Sequence, residues 1–159
     1  MKVAIGFDHA GFPLKDEVLR IVREAGHEPI DFGTNSTEPV DYPDFARAVA
    51  VSVAGGQTDR GIVVCGSGVG ASVAANKVPG IRSALCHDTF SARQGVEDDD
   101  MNVICLGARV IGPSLAGEVL RAYLGARFSG AERHVRRLRK VNQIESDACR
   151  GIFDRGGVS

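Results

Sequence analysis

Short apolar runs alternate along the chain with stretches in which apolar residues recur every three or four positions. "KVAIGF" (2–7) reads as a strand and "PLKDEVLRIVREAG" (13–26) as the helix after it. In that helix Val18, Leu19, Ile21 and Val22 share a face, Pro13 suits the first turn and Gly26 suits the stop. "EPIDF" (28–32) is a second strand, and "DFARAVAVSVAG" (44–55) is an amphipathic helix. Between them "TNSTEPVDYP" (34–43) is a polar loop long enough to suggest a function. Further strands fall at 60–65, 81–87 and 102–107, with helical segments between them, and helices over 113–128 and 130–153 close the pattern. No repeat, linker or low-complexity segment interrupts it, so residues 1–159 read as one domain, with the tail "DRGGVS" (154–159) expected to fray.

Strands that alternate with helices imply βαβ units and a parallel sheet covered on both faces. Five of them predict an α/β, Rossmann-like (flavodoxin-like) three-layer sandwich carrying an extended C-terminal helix. Ligands of such sheets bind outside the carboxyl ends of the strands. Candidate residues are therefore sought at 7–12, 33–43, 65–71, 87–101 and 107–112.

Composition narrows the partners. Of the 159 residues 43% are hydrophobic and 25% charged, as in ordinary globular domains. Nineteen basic against twenty acidic side chains leave a net charge of −1, which gives no global field for nucleic acid or an anionic membrane. No apolar run approaches the roughly 20 residues that span a bilayer, and "MKVAIGFDHAG" meets polar residues too early for a signal-peptide core. A cytoplasmic protein is expected. Cys65, Cys86, Cys105 and Cys149 form no C-x-x-C pair and are expected as free thiols, with Cys86 and Cys105 as small buried strand residues.

The chemistry concentrates in "VVCGSGVGASVAANK" (63–77), where a strand enters a glycine loop and then a helix. Gly66-Ser67-Gly68-Val69-Gly70-Ala71 fits the dinucleotide pattern G-x-G-x-x-A, and Asp88 stands at about the distance of a ribose-binding acid, roughly 20 residues on. Against that reading, the loop follows the third strand, which leaves no room for a second mononucleotide half. The lysine of a nucleotide loop is also missing. An oxyanion cradle fits better, with Cys65 either at the positive end of a helix that favours a thiolate or simply a buried cysteine at a strand end. Asp8 and His9 in "FDHAGF" would face the same crevice if strands one and three are neighbours, although Asp8 alone could simply form a turn. In "RHVRRLRK" (133–140) Arg133 and Arg137 share a helical face, either solvated or holding a phosphate. "EDDD" (97–100) is a poor metal site, because four successive carboxylates cannot all face one ion. A weak base, an oxyanion cradle and local cations together suit proton abstraction beside the carbonyl of a phosphorylated sugar.

The stretches "GFDHAG", "DYPDFA", "GIVVCGSGVGASVAANKVPGIRSAL", "NVICLGARVIG" and "RHVRR" closely resemble the type B ribose-5-phosphate isomerases, a family that includes the galactose-6-phosphate isomerase subunits. The resemblance covers nearly the whole chain. It implies aldose–ketose interconversion through a cis-enediolate, without metal or cofactor, in a homodimer or tetramer whose active sites are shared between subunits. By position it implies Cys65 as the base and Ser67 with the amides of Gly66, Gly68 and Gly70 around the oxyanion. Asp8 would bind sugar hydroxyls, His9, Arg109, Arg133 and Arg137 would surround the phosphate, and Asp99 and Asn102 would belong to the substrate site.

One departure stands out. The family's His-Asn pair, whose histidine opens the cyclic sugar, aligns here with Asp98 and Asp99. Histidine exchanges protons near neutrality, whereas a carboxylic acid is normally ionised there and cannot donate. Asp98 is the catalytic candidate at that position, and His87 is a possible stand-in, although it reads more simply as a polar residue at a strand end. The departure suits a tetrose 4-phosphate, whose would-be ring oxygen carries the phosphate, as an alternative to ribose 5-phosphate or a hexose 6-phosphate. A binding protein that lost turnover and a nucleotide-dependent oxidoreductase are the competing readings from other classes.

Overall fold

A computed structural model describes residues 1–153; the tail expected to fray, 154–159, lies outside the described residues. Five strands, β1 (Lys2–Phe7), β2 (Glu28–Asp31), β3 (Arg60–Cys65), β4 (Ser83–Leu85) and β5 (Val103–Gly107), form one sheet with every pairing parallel. Its order is β2-β1-β3-β5-β4. The doubly wound α/β class is as expected, but the last two strands exchange the places they hold in flavodoxin order, so the short β4 forms an edge.

The side chains explain the layers. Val3, Ile5, Phe7, Ile62, Val64, Ile104 and Leu106 point to one face, where they meet α1 (Lys15–Glu24), α4 (Thr89–Asp99) and α5 (Pro113–Gly125). The alternate positions Ala4, Val63, Cys65, Val103 and Cys105 are smaller and meet α2 (Tyr42–Ala54) and α3 (Val69–Ala75). This is the period-2 alternation of a sheet buried on both sides. The last helix, α6 (Glu132–Cys149), packs against α4 with His134 as its buried residue.

Several boundaries differ from expectation by a few residues for local reasons. The chain enters α1 through a 3₁₀ turn at Phe12–Leu14, where Pro13 has no N–H to offer. Tyr42 and Pro43, expected in the loop, open α2, because proline is preorganised for a first turn. The strand expected over 81–87 is paired only at Ser83–Leu85, and α6 ends at Cys149. None of the four cysteines is in a disulfide. No helix among the described residues is long and apolar enough to cross a membrane.

Candidate active site

β1, β3 and β5 are adjacent, so the loops leaving their carboxyl ends converge. The register places Phe7 beside Val64 and Cys65 beside Gly107. Between these loops lies a cleft of about 330 Å³ lined by Asp8, His9, Tyr42, Cys65, Ser67 and Arg109, with Gly66 and Gly70 on its wall.

Cys65 is the last residue of β3 and is 4% exposed. The Gly68 N–H donates to its Sγ at 3.1 Å, which fixes the sulfur at the start of α3. Gly68 caps that helix at φ 81°, a conformation that costs glycine little and other residues much. Ser67 is exposed, and its Oγ accepts the Val69 N–H at 3.3 Å. The amides of Gly66 and Gly70 have no backbone acceptor among the described residues. A Cβ added to Gly70 would come within 2.7 Å of the Tyr42 ring, so this glycine lets the aromatic side chain approach the cradle. The cradle expected at Gly66, Gly68 and Gly70 thus has one amide already committed to sulfur and two open.

Asp8 is buried, and its Oδ1 accepts from the N–H groups of Ala10 (2.9 Å) and Gly11 (2.8 Å). Half of its carboxylate therefore makes the turn that was the plain alternative, and no partner engages Oδ2 among the described residues. The His9 Nδ1 lies 3.1 Å from the Val40 carbonyl and 3.2 Å from its N–H. Loop 33–41 holds the imidazole in this way. The Arg109 guanidinium lies over Gly66, where an added Cβ would sit 3.5 Å from it. Val40 carries no motif that marks it as a site residue, and the loop's length is its only signal; Tyr42 falls in the "DYPDFA" stretch of the family resemblance, which gives it no role by itself.

The remaining candidates are elsewhere. Asp98 and Asp99 end α4, and Asn102 precedes β5, at the amino ends of the strands. At about 3.3 Å per strand residue, the length of β3 separates them from Cys65 by well over 10 Å. The Asn102 side chain accepts from the Arg82 N–H and donates to the Gly80 carbonyl, tying strand entrances together. Asp98 accepts from Gln94 Nε2 at 2.7 Å and lies 3.3 Å from Nδ1 of the buried His134, which also meets Ser129 Oγ at 2.7 Å. Nothing in the sequence distinguishes His134 from its arginine neighbours. Arg133 and Arg137 are exposed and make no ion pair among the described residues.

His87 takes the plain strand-end role and Asp88 loses its candidate one. His87 accepts the Gly107 N–H through Nε2 at 2.9 Å, and burial holds its pKa below the ordinary value, so it serves as a neutral acceptor bracing β5. Asp88, the candidate ribose acid, caps α4 by accepting the Ser91 N–H at 2.7 Å. That bond takes away the acid on which the dinucleotide reading depended. Among the described residues no group of three or more His, Cys, Asp or Glu side chains is placed to hold a metal ion.

An open parallel sheet with a polar cleft outside its carboxyl ends is the layout of a small-molecule α/β enzyme. The sequence model of the ribose/galactose isomerase family matches residues 3–141. The ribose-5-phosphate isomerase B of Escherichia coli is 46% identical over 144 residues, covering 91% of this chain and 96% of that protein. The D-erythrulose-4-phosphate isomerase of Pectobacterium atrosepticum is 43% identical over 131 residues, covering 82% and 86%. The solved structure of the Trypanosoma brucei type B ribose 5-phosphate isomerase superposes with a TM-score of 0.88 at 51% identity, covering 90% of this chain and 97% of that one. The chain belongs to the ribose/galactose isomerase family and is an isomerase that interconverts aldoses and ketoses.

Proposed function

We propose that this enzyme interconverts ribose 5-phosphate and ribulose 5-phosphate through a cis-enediolate, with Cys65 as the base. The supporting observation is the convergence of the Cys65 thiol, the Ser67 hydroxyl and the open Gly66 and Gly70 amides in one cleft. The thiolate takes the proton from C2 of the open-chain aldose and returns it to C1, while the proton of the C2 hydroxyl passes to the C1 oxygen, so that the carbonyl moves from C1 to C2. The charge that develops on the carbonyl oxygen is met by the two amides and Ser67, which are already in place. His9 and Arg109 line the same cleft and suit the phosphate.

The assembly we propose is a homodimer in which a second copy brings Arg133, Arg137, Asp98 and Asp99 to this cleft. Two observations support it. In one chain those residues lie at the opposite end of the sheet, and at the carboxyl end exposed Val69 and Phe90 stand in the first turns of α3 and α4 while exposed Val110 lines the cleft.

A second reading, a tetrose 4-phosphate such as erythrose or erythrulose 4-phosphate, is favoured by Asp98. Its carboxylate is already engaged by Gln94 and His134, and a tetrose 4-phosphate needs no ring opening. The name of the Pectobacterium relative fits this reading. A panel of phosphorylated tetroses, pentoses and hexoses assayed for kcat/KM decides between the two. Turnover of ribose 5-phosphate above that of the tetrose supports the first reading. The reverse order, with ribose 5-phosphate improved more than the tetrose by Asp98→His, supports the second. Binding of ribose 5-phosphate with no turnover of any sugar would overturn both and leave a binding protein.

A further inference from the structure

Lys15 is placed against two local preferences. It is the first residue of α1, where the positive end of the helix macrodipole disfavours a cation, and only 7% of it is exposed. A buried ammonium needs every donor satisfied. Here Nζ lies 2.6 Å from Asp31 Oδ2, and it donates to the Thr34 carbonyl and to Asn35 Oδ1, both at 2.9 Å. The Phe7 ring lies 5.8 Å away. Two of the three acceptors belong to the polar loop 33–41.

Apolar burial does not hold that loop. Residues 35–39 are exposed, so polar anchors at its ends determine where it runs. At the near end Thr34 donates its N–H to the Phe7 carbonyl while Lys15 takes its carbonyl and the next side chain. At the far end Val40 holds the His9 ring, and Tyr42 lies against Gly70 in the cleft.

We infer that Lys15 is a positioning residue for the reaction: it clamps loop 33–41 so that Val40 orients His9 and Tyr42 walls the Cys65 cleft. The inference rests on the reading of that cleft as the active site. A purely structural role, in which Lys15 merely neutralises Asp31, predicts different behaviour.

The test compares Lys15→Met with the double variant Lys15→Met/Asp31→Asn, which leaves no unpaired charge behind and stands in if the single variant does not fold. KM for the preferred sugar phosphate should rise about tenfold or more in both with kcat changed little, since what is lost is oriented binding. Amides of 33–41 should exchange faster while those of β1 and β3 do not, and the imidazole ¹⁵N signals of His9 should move. The double variant should recover thermal stability but not KM. A folded double variant with wild-type KM, loop protection and His9 signals would overturn the clamp, as would recovery of KM together with stability. The exchange and His9 readouts do not depend on turnover. Failure of the active-site reading, seen as an active Cys65→Ser, is therefore distinguishable from failure of the clamp.

Discussion

At the scale of single residues, the three buried thiols differ in what surrounds them. Burial pushes Cys86 up to about 11 and Cys105 up to about 12, which leaves both protonated and inert near neutral pH. Cys65 instead receives an N–H at its sulfur and opens on the cleft. Cys65→Ser keeps the volume but replaces the thiol with a much weaker acid, and should lower kcat by on the order of 10²–10⁴-fold in a folded protein. Retention of more than a tenth of the rate in a steady-state assay would require another base. In a Cys149→Ser background, which removes the exposed thiol, iodoacetamide should modify Cys65 before Cys86 or Cys105, with protection by substrate. His87 yields a pH prediction. Its pKa is lowered by burial, so just below the ordinary value of 6.5 the unfolded chain binds more protons than the folded one. Stability from this residue is complete above about pH 6.5 and declines as pH falls toward the lower folded value. His87→Gln supplies an acceptor that does not titrate, and should flatten that decline when melting temperature is followed from about pH 7.5 to pH 5.5.

At the scale of elements, α6 divides its residues between two tasks. His134 turns inward toward Asp98 and Ser129, with Val135 and Leu138 half-buried, while Arg133 and Arg137 stand outward one turn apart. Truncating either arginine to alanine removes a charge-assisted contact worth about 1.5–3 kcal/mol if phosphate is the ligand. That corresponds to roughly 10–150-fold in kcat/KM. Inorganic phosphate should inhibit the wild type more strongly than either variant, and equal inhibition of all three would make the pair a solvated face. At the acidic end of α4 successive carboxylates face different partners. Asp98 reaches Gln94 and His134, Asp100 pairs with Arg82 at 2.7 Å, and the Glu97 carbonyl accepts from Ser129.

At the scale of the molecule, the two groups of candidate residues occupy opposite ends of one sheet. A site that uses both must be built from two chains. Mixing Cys65→Ser chains with Arg137→Ala chains should then restore activity, because each hybrid dimer holds one intact site. Random pairing gives about a quarter of the wild-type sites. Subunit exchange followed by an isomerase assay measures this, and no recovery despite verified exchange would place the whole site within one chain.

Periodicity and turn residues determined the strands, the helices and the parallel sheet, because alternation of period 2 and 3.6 is a local property of the chain. The shape of the glycine loop was also legible, since three glycines in five residues after a strand allow the positive φ of Gly68 and leave the Gly66 and Gly70 N–H groups bare of side chains. The order of β4 and β5 was not, because the choice of neighbour depends on how two crossovers pack and not on either strand's own residues. Nor could spacing separate Asp88 as a helix cap, His87 as a brace or Asn102 as a tie from ligands of a substrate. Each is a polar residue at a strand end, and only the acceptor or donor facing it determines its role. Lys15 shows the same limit. In sequence it is one more charge on an amphipathic helix, and tertiary structure made it a buried ammonium whose three partners come from a strand and a loop further along the chain.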